Sequence, residues 1–170
     1  DKASKYAVGG MTALMLLEQL SPKIVEAQVI TPNDERIQQE HIEYASPNGY
    51  GKMRGYLARP KASGRAPGIV VIHENRGLNP HIEDIARRLA VDGFVAFAPD
   101  ALFPLGGYPG DEEKARELFP KLEQPKTRED FVAASAFLKS RPECTGKIGA
   151  VGFCYGGGMV NYLATRLGTD

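Results

Sequence analysis

A chain of 170 residues, 42% apolar and 25% charged, has the length and composition of one globular domain with a sizeable core, which excludes a disordered tract. Lysine plus arginine and aspartate plus glutamate stand at 21 each, so the net charge is zero. Nothing in that balance points to nucleic acid or an anionic membrane surface as a partner.

At the N-terminus, Tyr6 to Leu17 is apolar for twelve residues behind Lys2 and Lys5, too short a run to span a bilayer. Two readings stay open. Glu18, Gln19, Pro22 and Lys23 follow directly, as suits an amphipathic helix in a protein that stays in the cytoplasm. The other reading is the remnant of an export signal, with Ala27 near its cleavage point. The chain opens on Asp1 rather than Met, so part of the natural N-terminus is expected to precede it. With a polar linker at Thr31-Pro32-Asn33-Asp34, residues 1–36 read as a helical appendage to a domain over residues 37–170.

That domain begins with two alternating runs, Gln39 to Ala45 and Lys52 to Arg59. The Pro47-Asn48-Gly49 turn between them predicts a hairpin. Gly68 to His73 is a continuous apolar run, as expected of a strand buried on both faces of a parallel sheet. Asn79-Pro80 opens a predicted helix from His81 to Asp92, with Ile82, Ile85, Ala86 and Leu89 on one face and Gly93 at its end. Phe94 to Ala98 reads as the next buried strand, followed by a Gly- and Pro-rich loop from Leu102 to Gly110. Helices are predicted over Asp111 to Phe119 and over Arg128 to Ser140, the second capped by Thr127. A strand from Lys147 to Phe153 and a helix from Tyr155 complete the chain. Strand–helix alternation behind a hairpin predicts an α/β sheet with right-handed crossovers.

The last of these junctions carries chemistry. Gly152-Phe153-Cys154-Tyr155-Gly156 sets glycine two residues before and two after a cysteine, between a strand and a helix. This is the layout of a nucleophile elbow, in which the turn is so tight that its flanking positions want glycine. Cys154 can also be read as a small buried hydrophobe. Two cysteines make no disulfide framework. At about 3.3 Å per residue the strand holds Cys144, read as a loop or packing residue ahead of it, roughly 20 Å from Cys154, beyond disulfide reach. Sixteen residues follow Cys154 and none is histidine.

Three blocks together are more specific: His73-Glu74-Asn75-Arg76-Gly77-Leu78-Asn79-Pro80, Gly93-Phe94-Val95-Ala96-Phe97-Ala98-Pro99-Asp100, and Gly152-Phe153-Cys154-Tyr155-Gly156-Gly157-Gly158. In order and spacing they resemble the dienelactone hydrolase family, over about residues 39 to 170. The resemblance implies an α/β-hydrolase-type sheet flanked by helices. It implies hydrolysis of a lactone or small ester through a thioester at Cys154, without metal or organic cofactor. Glu74 matches the glutamate that manages the cysteine proton, the N–H groups of Tyr155 and Asn75 match the oxyanion-hole donors, and Arg116 is aligned with a substrate-carboxylate arginine. The family's acid and histidine lie on loops after later strands, in the chain order of this fold. The resemblance thus implies that the chain stops before its last strands, leaving the Ile148 to Phe153 strand as an apolar edge.

Of the histidines, His73 should point away from the face that Glu74 presents, His81 should lie in a first helical turn, and His41 reads as a strand residue. None shares a metal-ligand spacing with a cysteine. The expected partner is a small ester or lactone. The rival expectation is an inactive remnant that persists through self-association or through a second chain completing the sheet.

Overall fold

A computed structural model describes residues 28–62 and 64–168. The expected N-terminal helix falls on residues 1–27 and lies outside them. Strands β1 (Ile37–Ser46) and β2 (Gly51–Pro60) form the expected hairpin, antiparallel and in register from Ile37 opposite Pro60 to Ser46 opposite Gly51. Strand β3 is Ala66–Ile72, helix α1 is Pro80–Val91, and strand β4 is Val95–Pro99. Helix α2 is Glu112–Leu118, helix α3 is Gln124–Ser140, strand β5 is Cys144–Gly152, and helix α4 is Tyr155–Leu167. The sheet runs in the order β1-β2-β4-β3-β5. Strands β4, β3 and β5 are mutually parallel, with β5 at one edge.

Alternate residues of the central strands feed two cores, as the period-2 pleat requires. Val71, Ala96 and Ala98 face α1, together with Ile82, Ala86 and Ala90. Val70, Ile72 and Phe97 face α3 and α4, where Phe131, Ala134, Leu138, Met159 and Leu163 pack. The Asn79 side chain caps α1 by accepting from the Ile82 N–H at 3.1 Å, with Pro80 in the first turn.

Three sequence readings are corrected. Helix α3 starts at Gln124, four residues before Arg128; Pro125 fits its first turn, and Thr127 is a buried helical residue whose hydroxyl donates to the Glu123 carbonyl. Cys144 is not ahead of the last strand but is its first residue, buried beside Gly68. Gly146 takes φ +85° inside β5, and the β3–β5 register shifts between Ala66 and Gly68, so the strand's start is irregular. On α1, Ile85 and Leu89 are only half-buried, whereas Asp84 and Arg87 are fully buried. Asp84 accepts from the Val29 and Ile30 N–H groups at 3.1 and 2.8 Å, and Arg87 donates to the Ile30 carbonyl at 2.6 Å and to the Tyr56 hydroxyl at 3.0 Å. Residues 28–30, on the appendage side of the expected boundary, are thereby held against the helix, with Ile30 in the core. Among the described residues no helix is long and apolar enough to cross a membrane.

Candidate active site

The parallel pairing of β3 with β5 builds the site. Ile72 and Gly152 are register partners, and the Phe153 N–H donates to the Ile72 carbonyl at 3.2 Å. Two residues beyond each partner come Glu74 and Cys154, so the sheet sets their loops side by side at its carboxyl edge, where ligands of open α/β sheets bind. Glu74 is half-buried, and Asn75 and Cys154 are exposed.

Cys154 is the one non-glycine residue with positive φ among the described residues, at φ 52° and ψ −111°. Such backbone costs about 1–3 kcal/mol and persists only where its surroundings enforce it, as two glycines do here. A β-carbon on Gly152 would meet the Gly156 carbonyl oxygen at 2.1 Å, and one on Gly156 would crowd the carboxyl end of β3. Helix α4 starts directly after the cysteine, its first turn closed by Gly156 N–H on the Phe153 carbonyl at 2.8 Å and Gly157 N–H on the Cys154 carbonyl at 3.0 Å. Its positive end is turned toward the sulfur. The N–H groups of Tyr155 and Asn75 have no hydrogen-bond partner among the described residues.

Surrounding contacts hold these loops. The Tyr155 ring lies edge-on to Phe119 at 4.7 Å and its hydroxyl donates to Gln124 Oε1 at 3.1 Å. Burial pushes that phenol up to about 12, so it remains a donor. Arg76 pairs with Glu112 at 2.9 Å, tying the loop after β3 to the start of α2. At the end of β4, Asp100 is fully buried and accepts from the Leu102 N–H at 3.1 Å, with Arg54 at 3.9 Å. Burial raises the Asp100 carboxyl to about 6, more than its N–H donors and Arg54 lower it. Sequence reasoning passed over Asp100 and Arg54, whose pairing is tertiary.

The remaining candidates are placed as follows. Arg116 sits on the exposed side of α2, its guanidinium on Glu113 at 3.0 Å. His41 pairs with Glu83 at 3.0 Å, and the exposed His81, in the first turn of α1, has Phe153 6.5 Å away. His73 is completely buried. The structure thus brings Cys154, Tyr155, Glu74 and Asn75 to one edge, and leaves Arg116, His41 and His81 on other contacts.

A family model describing the dienelactone hydrolase family matches residues 53–170. The chain belongs to the dienelactone hydrolase family. It is similar to the Escherichia coli (strain K12) protein YghX, named as a hydrolase fragment, at 54% identity over 109 residues, 64% of this chain and 93% of that one. It is similar to the carboxymethylenebutenolidase of Pseudomonas sp. strain P51, at 32% identity over 69% of this chain and 52% of that enzyme. Among solved structures, one titled m3DLH aligns with a TM-score of 0.64 and 32% identity, covering 77% of this chain and 55% of that one. The α/β-hydrolase fold expected from the sequence is the one observed. The chain spans about half the length of the Pseudomonas enzyme and of m3DLH.

Proposed function

We propose that this domain serves hydrolysis of a lactone or small carboxylic ester, with Cys154 as the nucleophile. The observation that carries the reading is the backbone of Cys154: an exposed thiol held at positive φ between two glycines, beside two N–H groups unpartnered among the described residues. The Cys154 sulfur forms a bond to the substrate carbonyl carbon, and the carbonyl π electrons move to oxygen. The Tyr155 and Asn75 N–H groups hold that oxyanion, each such donor contributing about 3–4 kcal/mol in acyl-transfer enzymes. Collapse breaks the bond to the leaving alcohol oxygen, which takes up a proton, and leaves a thioester at Cys154. Water then attacks the thioester and releases the acid and the thiol. Glu74 is the proton partner in this reading, and Arg116 is a candidate for a substrate carboxylate only if α2 presents it to the site. No metal or organic cofactor enters these steps.

The test is hydrolysis of an aryl ester and a small lactone by the 170-residue chain, with Cys154→Ala as control and mass spectrometry for an acyl adduct. An adduct confined to Cys154 supports the reading. Equal turnover by Cys154→Ala overturns it.

The sheet edge favours a second reading, in which the chain acts through association. Among the described residues strand β5 pairs on one side only, with Gly149 and Ala150 exposed. Beside it lies a hollow of about 300 Å³ lined by Val70, Ile148, Val160, Leu163 and Leu167. Another copy or a second chain completing the sheet would cover such an edge. Sedimentation over a range of concentrations tests this, and a monomer throughout counts against the self-associating form.

A further inference from the structure

We infer that His73 is a positioning residue: as its Nδ1–H tautomer it turns the Glu74 carbonyl inward and so aims the Asn75 N–H outward at the site. This rests on the reading of that N–H as an oxyanion donor. His73 lies directly after β3, with no exposed surface, its ring edge-on to Phe119 and Phe131 at 6.2 and 6.1 Å. Among the described residues it makes two hydrogen bonds. Nε2 faces the Ala101 backbone N–H at 3.1 Å, and Nδ1 faces the Glu74 carbonyl oxygen at 2.5 Å.

The two contacts settle where the proton is. A backbone N–H can only donate, so Nε2 must be bare; a carbonyl can only accept, so Nδ1 must carry the hydrogen. Both demands select the same neutral tautomer. A second proton would set an N–H of the ring against the N–H of Ala101. Burial opposes that proton too, holding the imidazole at about 4 although the Glu74 carbonyl pulls the other way.

The consequence for Asn75 follows from peptide geometry. The Glu74 carbonyl and the Asn75 N–H belong to one planar unit, which is trans, as are all the peptide bonds described. In a trans peptide the C=O and N–H point in opposite directions. With the carbonyl fastened to a buried ring, the N–H must face away from the core, and it has no partner among the described residues. The ring is itself bonded to Ala101 at the end of β4, so the peptide cannot rotate the donor away without breaking its bond to an anchored side chain.

The first measurement uses the unaltered chain: ¹⁵N shifts of the His73 ring at pH 7. Protonated Nδ1 with bare Nε2 is expected. The opposite tautomer, or an imidazolium, overturns the proposal whether or not the protein turns over an ester. The second measurement takes the ratio of two rates at Cys154, acylation by 4-nitrophenyl acetate and alkylation by iodoacetamide. Alkylation is displacement at a saturated carbon and develops no oxyanion. His73→Phe should lower the ratio roughly 10²-fold, as loss of one oxyanion donor does. His73→Asn, whose amide N–H can stand where Nδ1–H was, should recover most of it. A folded His73→Phe variant with the parent ratio overturns the proposal. If the parent is alkylated at Cys154 but never acylated, the nucleophile reading fails, and the tautomer still decides the role of His73.

Discussion

A β-carbon added to Gly156 would lie 2.3 Å from the carbonyl oxygen of Ile72 and 2.9 Å from that of His73. Helix α4 therefore reaches the carboxyl end of β3 only because its second residue has no side chain. Gly156→Ala should push the helix away from the Glu74–Asn75 loop and cost roughly 3 kcal/mol, at the upper end of overpacking penalties. Gly158→Ala, two residues on in open space, should instead stabilise by about 0.5–1 kcal/mol, the helix preference of alanine over glycine. Urea denaturation of both variants checks this, and equal effects would refute the close-approach argument.

Cys154 bears the conformational cost of its own exposure. Cys154→Gly should be more stable than Cys154→Ala by about 1 kcal/mol, because glycine accepts φ 52° while alanine inherits the strain. Thermal unfolding of the two variants decides, and the reverse order would mean the elbow is unstrained.

Two buried groups set opposing pH dependences. His73 falls from the usual 6.5 to about 4 through burial, so its contribution is full above pH 6.5 and is lost as pH falls toward 4. Asp100 rises from 3.8 to about 6, again through burial, so its contribution is full below pH 3.8 and is lost as pH rises through 6. At 1.36 kcal/mol per unit, each amounts to about 3 kcal/mol, and between pH 6.5 and 4 they nearly offset. Asp100→Asn removes one side of this balance. Relative to the parent it should lose about 3 kcal/mol between pH 7 and pH 4 in chemical denaturation. A difference that does not change with pH would refute the assignment.

Asp84 holds the chain ahead of β1 against α1 and faces Arg87 at 3.6 Å. Asp84→Ala should cost about 3 kcal/mol, because breaking a buried ion pair strands the remaining charge. Hydrogen exchange at Ile30 should rise with it. If Ile30 stays as protected as in the parent, the carboxylate is not what fastens this segment.

Much of this could be read from the residues, for reasons that differ by element. Strands β3 and β4 are buried on both faces and announce themselves as apolar runs. The elbow is legible because Gly152 and Gly156 each fill a place where a β-carbon would meet backbone. The start of α3 was obscured by Thr127, a good cap by type, whose hydroxyl instead bonds back to Glu123 within the first turn. The start of β5 was hidden by Gly146, whose positive φ reads as a loop. Arg87 and Asp84 ran against the polarity pattern of their helix, since what they bind is backbone fifty-odd residues away, and no local period carries that information. The bond that His73 accepts from Ala101, 28 residues on, is likewise tertiary and has no local signal.

The pairing of β3 with β5 also fixes when the site can form. Hairpin β1–β2 closes over four turn residues, whereas Ile69 must find Gly149 across roughly eighty. Closing the longer loop costs more chain entropy, and distant pairings form slowly. Cys154 and Asn75 thus become neighbours only late in folding. In pulse-labelled refolding, the amides of Glu40 and Leu57 should gain protection before those of Val151 and Phe153, whose N–H groups face β3, and a chain caught in between would carry a finished hairpin and a thiol with nothing beside it.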